Sequence, residues 1–219
     1  KPDWFVDLHE GIDFHQINPK SVGSSIIDVK SKAANAVVPL MLSTVNADIK
    51  EPKKKLVRLR YPVDGSLARA VYERLKASAM ILETTSKSQP LSKRVRQHRL
   101  MVHTLFTHLK MAGESQHVML PTNTKAMRVA VYDAVGVGSK GPRNLDRVFR
   151  GMKNIMVRRV GSEDISDGVL DQFDLTIFPG GSGSKQAAAF ELKGRKAVQN
   201  FVKEGGGYVG ICAGSYLAA

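Results

Sequence analysis

The 219-residue sequence contains a single cysteine, Cys212. One thiol cannot build a disulfide framework within the chain, so the expected setting is a reducing intracellular compartment, the cytoplasm or an organellar matrix. Long apolar runs are also missing: nothing approaches the roughly 18 residues that cross a bilayer. The opening Lys1-Pro2-Asp3-Trp4-Phe5-Val6-Asp7 lacks the charged-then-apolar pattern of a signal peptide, and no membrane partner is expected. Histidine is absent from residues 118–219, its six copies being His9, His15, His98, His103, His108 and His117. Aromatic residues make up 6% of the chain and few fall among its basic runs, which speaks against a platform for stacking nucleic-acid bases. Acidic residues are outnumbered, 20 against 33 Lys and Arg, for a formal net charge of +13.

The basic excess is uneven. Residues 1–125 hold 20 Lys and Arg against 11 Asp and Glu, whereas residues 126–219 hold 13 against 9. Runs such as Lys53-Lys54-Lys55-Leu56-Val57-Arg58-Leu59-Arg60 and Lys93-Arg94-Val95-Arg96-Gln97-His98-Arg99 suit RNA phosphates or an acidic protein partner. The alternative is that they are the solvated faces of a basic surface.

Pro121-Thr122-Asn123-Thr124-Lys125 is polar and turn-rich, and a buried-strand pattern, Met127-Arg128-Val129-Ala130-Val131-Tyr132-Asp133, follows it. A boundary is placed there, with a small basic α+β segment over residues 1–122 and an α/β domain over residues 123–219. In the second part, strands are expected at 128–133, 154–160, 173–178 and 208–211. Helices are expected at 142–150, opened by Pro142, at 164–170, and at 194–204 with Ala197, Val198, Phe201 and Val202 inward. Such alternation implies a parallel sheet with right-handed crossovers, whose loops converge at the strand C-termini.

In the first part, strands are expected at 56–61 and 80–84, and a helix at 66–77 with Leu67, Val71 and Leu75 on one face. A long helix at 94–110 carries Val95, Val102, Leu105, Phe106 and Leu109, and residues 118–120 suit a closing strand. The apolar runs within residues 24–47 have no firm period, and the fold of residues 1–55 is left unassigned.

Cys212 sits in Gly205-Gly206-Gly207-Tyr208-Val209-Gly210-Ile211-Cys212-Ala213-Gly214-Ser215. A short apolar run ending at a nucleophilic side chain, with small residues on either side, is the pattern of a strand-to-helix elbow. An elbow lifts the sulfur above the sheet at a helix N-terminus, where free N–H groups favour thiolate. The competing reading is a small buried residue chosen because the turn is tight. Upstream, Gly180-Gly181-Ser182-Gly183 follows a strand and is either a plain turn or a cradle whose N–H groups hold a phosphate or carboxylate. The Gly-Lys-Ser/Thr ending of a Walker loop is missing.

Taken together, Phe178-Pro179-Gly180-Gly181-Ser182-Gly183-Ser184-Lys185-Gln186, the Cys212 motif and the first loop, Tyr132-Asp133-Ala134-Val135-Gly136-Val137-Gly138, resemble the class I glutamine amidotransferase-like superfamily. Within it the likeness is to the biotin-protein-ligase N-terminal-like branch, over residues 127–219. The resemblance implies a flavodoxin-like sheet, Cys212 as nucleophile, and N–H groups near Gly181 and Ala213 as an oxyanion hole for a small amide or acyl substrate. The same likeness calls for a histidine oriented by a carboxylate after the nucleophile, and for further strands, so the sequence is expected to be part of a longer chain or a degenerate domain. Three outcomes are open: the base lies outside this sequence, a histidine of the first segment is recruited, or the site is not hydrolytic and the domain is non-catalytic.

A fainter likeness covers residues 65–122. Arg96-Gln97-His98-Arg99-Leu100-Met101-Val102-His103-Thr104-Leu105, then Gln116-His117-Val118-Met119-Leu120, resembles the helix and last strand of BolA-like proteins. This implies His98 as a ligand for an iron–sulfur cluster shared with a monothiol glutaredoxin; otherwise His98, His103 and His108 are surface residues of a basic helix. His103 and His108 stand five apart, a poor spacing for one shared ion. No other cofactor or metal is expected. Three functions follow: a Cys-nucleophile amidotransferase-like domain, a basic non-catalytic subunit of a larger assembly such as an organellar ribonucleoprotein, and a glutaredoxin-linked adaptor.

Overall fold

The computed structural model describes residues 2–113 and 125–217. The chain divides into two compact units, Lys1–Gln89 with Arg94–Gln116, and Pro90–Lys93 with His117–Ala219. Among the described residues no helix is long and apolar enough to cross a membrane.

The first unit contains β1 (Trp4–Gly11), β2 (Ser25–Asp28), α1 (Lys32–Asn46), β3 (Val57–Leu59), α2 (Leu67–Leu75), β4 (Ser78–Thr85) and α3 (Leu91–His108). Its sheet is mixed, in the order β1-β4-β2-β3, with β4 parallel to β1 and antiparallel to β2. Successive side chains of β4 point to opposite faces, and both faces are covered. Met80 and Leu82 join Ile26, Val37, Met41, Met101 and Leu105, whereas Ala79 and Ile81 meet Ile27, Val29 and Ala68. The unassigned residues 24–47 become β2 and α1; the Ser31 hydroxyl caps α1 by accepting the Ala34 N–H at 3.0 Å, and Pro39 lies inside it.

Two expected helix faces are corrected. On α2, Leu67 and Leu75 are exposed, and Ala68 with Tyr72, one turn apart, face the sheet. On α3, Val95 and Phe106 are exposed, whereas Leu105, Val102 and Leu109 pack with Met101 into the core that Met80 and Leu82 of β4 share. The expected closing strand at 118–120 lies outside the described residues.

The second unit is α/β: β5 (Met127–Tyr132), α4 (Gly141–Phe149), β6 (Ile155–Val160), α5 (Ser162–Ser166), β7 (Leu175–Phe178), α6 (Gly183–Ala189), α7 (Glu191–Lys203) and β8 (Gly207–Gly210). All neighbouring strands are parallel, in the flavodoxin-like order β6-β5-β7-β8. On one face Val129, Val131 and Ile177 pack with Leu145 and Phe149 of α4. On the other, Ala130, Tyr132, Phe178, Phe190 and Phe201 form the larger core, with ring centroids 5.3 Å apart for Tyr132–Phe178 and 5.2 Å for Phe178–Tyr208. Val202, expected inward, is exposed, because Phe201 occupies the inward position of α7. The helix expected at 164–170 is broken at Gly168, whose φ of 86° ends α5 before a separate 3-10 turn, Val169–Gln172. From β5 the chain first builds β6 on one side and then crosses to β7 on the other, so the loops after β5 and β7 part at the sheet's switch point.

Candidate functional site

Strand β8 fixes where Cys212 stands. Its residues pair with β7 up to Phe178 opposite Gly210, and the Ile211 N–H then donates to the Phe178 carbonyl at 2.9 Å. The next residue turns sharply: Cys212 has φ 52°, in the left-handed region that a side chain disfavours by roughly 1–2 kcal/mol. A 3-10 helix, Cys212–Leu217, follows. The chain folds back so tightly that a Cβ on Gly214 would lie 2.0 Å from the Phe178 carbonyl oxygen, and one on Gly210 would lie 2.6 Å from the Ser215 Cα. The Tyr208 hydroxyl donates to the Gly214 carbonyl at 2.7 Å and the Ser215 hydroxyl to the Gly210 carbonyl at 2.9 Å, pinning the turn from both ends. Burial raises the Tyr208 phenol to about 12, so it remains a hydrogen-bond donor at neutral pH. The reading of Cys212 as a buried filler is corrected: the thiol is exposed.

The loop after β7 approaches the same point. Gly180 has only hydrogens on the side facing Cys212, where a Cβ would lie 3.7 Å from Sγ. Gly181 makes a bridge with Val137 of the loop after β5, through the Ser182 N–H to the Gly136 carbonyl at 2.7 Å and the Gly138 N–H to the Gly180 carbonyl at 2.9 Å. A side chain on Gly181 would meet the Gly136 oxygen at 2.0 Å. The Gly181 N–H itself donates to no acceptor among the described residues. Gly181, Gly183, Ser184, Cys212, Ala213 and Tyr216 line an open pocket of about 520 Å³. Of the residues singled out in the sequence, Gly181, Gly183, Cys212 and Ala213 therefore meet in one place. Ser182 instead caps α6, accepting the Lys185 N–H at 3.5 Å.

Among the described residues 125–217 of this unit there is no histidine to stand as the expected base. Among the described residues no group of three or more His, Cys, Asp or Glu is placed to hold a metal ion.

His98 is half-buried on α3, its Nε2 3.2 Å from the Thr84 hydroxyl, and burial holds its imidazole below the ordinary value. It is thus not a surface residue, and His103 is half-buried as well, leaving only His108 of the three exposed. Some cations of the basic runs are matched by carboxylates: Arg58 pairs with Asp28, Arg94 with Glu10 and Arg96 with Asp48. Arginines committed in this way have less charge to offer phosphates.

One cluster in the first unit escaped the sequence reading. In the parallel β1–β4 register His9 stands opposite Glu83. His9 Nε2 lies 3.2 Å from Asp7 Oδ1, and Nδ1 lies 4.0 Å from Glu83 Oε1. Glu83 is buried, with Oε2 lacking any hydrogen-bond partner. Burial raises its carboxyl above the usual range, His9 opposes that shift and Asp7 adds to it. The available signal was a glutamate in the otherwise apolar run Met80-Ile81-Leu82-Glu83-Thr84.

Among curated proteins, none matches the chain. Residues 127–219, the stretch that holds the Gly181 loop and the Cys212 elbow, match the family described as biotin-protein ligase, N terminal.

Proposed function

We propose that the second unit is an amidotransferase-like domain in which Cys212 attacks the carbonyl carbon of a small amide or activated acyl group. The observation that carries this reading is the exposed thiol held at φ 52° on the rim of the Gly181 pocket. Strained backbone of this kind clusters at active sites and ligand clamps. Attack forms an Sγ–C bond and places negative charge on the carbonyl oxygen, which the N–H groups of Gly181 and Ala213 are proposed to receive. The pocket lining named above holds no Asp, Glu, Lys, Arg or His, which suits an uncharged reacting group. The base is proposed to come from outside residues 125–217, or the thiol acts with solvent as proton acceptor.

The test is alkylation by iodoacetamide at neutral pH, followed by intact mass. Reaction at least tenfold faster than that of an unstructured cysteine peptide supports an activated nucleophile, and a rate equal to the peptide's counts against it. A second reading concerns the first unit, where the partnerless Glu83 Oε2 beside the His9–Asp7 pair favours a proton-transfer centre. Its check is a carbon-detected NMR titration of the Glu83 carboxyl: a midpoint above that of a free glutamate supports the reading, and an ordinary midpoint removes it.

A further inference from the structure

We infer that Gln186 is a positioning residue of the Cys212 site, an inference that rests on the nucleophile reading above. Gln186 lies on α6 and is fully buried. Its Nε2 donates to the Pro179 carbonyl at 3.0 Å and to the Gly136 carbonyl at 3.3 Å. These two carbonyls belong to different loops, one after β7 and one after β5, which meet at Gly181 on the lining of the Cys212 pocket. The orientation of the carboxamide is fixed by chemistry: turning it over would set its oxygen against two carbonyl oxygens.

The remaining geometry points the same way. The Gln186 N–H donates to the Ser182 carbonyl at 3.0 Å, and the Ser182 N–H donates to the Gly136 carbonyl at 2.7 Å. Gly136 has φ 88°, and a Cβ there would lie 2.6 Å from the Gln186 nitrogen, so the loop after β5 is pressed directly onto this residue. Gln186 Oε1 is buried with no partner, an uncompensated polar group that an apolar side chain of the same length would remove. A glutamine kept here for packing alone would be replaced at a gain. Its two donated hydrogen bonds are what an apolar residue cannot supply, and they join the backbone bridge at Gly181 in tying the two loops together.

Two reagents separate placement of the N–H donor from mere reach of the thiol. p-Nitrophenyl acetate acylates Cys212: the Sγ–C bond forms, the ester C–O bond breaks, p-nitrophenolate leaves with the electron pair and the thiol proton passes to solvent. That step develops an oxyanion, whereas alkylation by iodoacetamide develops none. Gln186→Met in the full chain should therefore slow acylation by about ten- to a hundredfold, the scale of a reacting group misplaced by about 1 Å, and leave alkylation within twofold. Gln186→Glu supplies a second variant that keeps size and shape. Its neutral acid donates to one carbonyl, and its carboxylate repels both, so acylation should fall as pH rises through a raised carboxyl midpoint while alkylation follows wild type. If wild type shows no acylation above Cys212→Ser, the nucleophile reading fails and this inference with it. If wild type is acylated and both variants match it, the inference alone is overturned. Equal slowing with both reagents also overturns it, since that is the mark of a disordered elbow.

Discussion

Replacing Gly214 by alanine tests the elbow most directly. The added methyl would sit 2.0 Å from the Phe178 carbonyl oxygen and 2.9 Å from the Phe178 Cβ, so strand β7 and the turn after β8 must separate. Separation weakens the Ile211 N–H to Phe178 carbonyl bond and the Tyr208 hydroxyl to Gly214 carbonyl bond, at about 1 kcal/mol each. Overpacking adds about 1–3 kcal/mol. The expected loss is about 3–5 kcal/mol, confined to the second unit. Gly205→Ala is the control: Gly205 has φ 98° with nothing within 4 Å of an added Cβ, so only the backbone term of about 1–2 kcal/mol applies. Hydrogen exchange of the β7 and β8 amides in urea reports the second unit, and fluorescence of Trp4, the single tryptophan, reports the first. Gly214→Ala no more destabilising than Gly205→Ala would refute the close approach of the elbow to β7.

Other outcomes follow from buried charges and phenols. The Glu83 carboxyl is raised by burial, so its contribution to stability is full below the ordinary glutamate value of 4.5 and is lost as pH rises through the raised folded value. Melting of Glu83→Gln, followed by Trp4 fluorescence, should accordingly be flatter than wild type as pH rises from about 4.5; parallel curves refute the shift. Arg58→Leu strips the fully buried Asp28 of its paired guanidinium and should destabilise the first unit by about 3–5 kcal/mol, read from urea midpoints. Alkaline titration at 295 nm should show Tyr208 ionising near pH 12 and Tyr132 later still, both pushed up mainly by burial, with the delay abolished in urea. Stability of the second unit should fall as pH rises above about 10, where the unfolded phenols ionise first.

The α/β half was legible because the strands of its sheet are short, mainly apolar runs bounded by glycine or a polar turn, β6 with Arg158 and Arg159 being the most polar. Position 210 closes β8, and Gly168 separates α5 from the turn behind it. The first half resisted for physical reasons. Pro39 reads as a helix breaker, yet α1 retains it because Val37, Val38 and Met41 are fully buried against the sheet. Strand β1 carries Asp7, His9 and Glu10, which an edge strand tolerates and a central one would not. The glycine signals also explain why the Cys212 site was readable: three loops can approach so closely only where side chains are missing. Gln186 and Glu83 gave no such signal, since what matters for each is burial and register, which arise between distant segments.

Cys212 also bears on how this fold would drift. A left-handed backbone angle at an exposed position favours glycine on stability grounds, and in the second unit the chain uses glycine for the same purpose at Gly136, Gly151, Gly168 and Gly205, with Glu191 at φ 49° the other exception. Selection for thermal tolerance alone would therefore erase the thiol within a few rounds, with the sheet intact beneath it. A library of this domain, sorted once by heat and once by thiol reactivity, should diverge first at position 212.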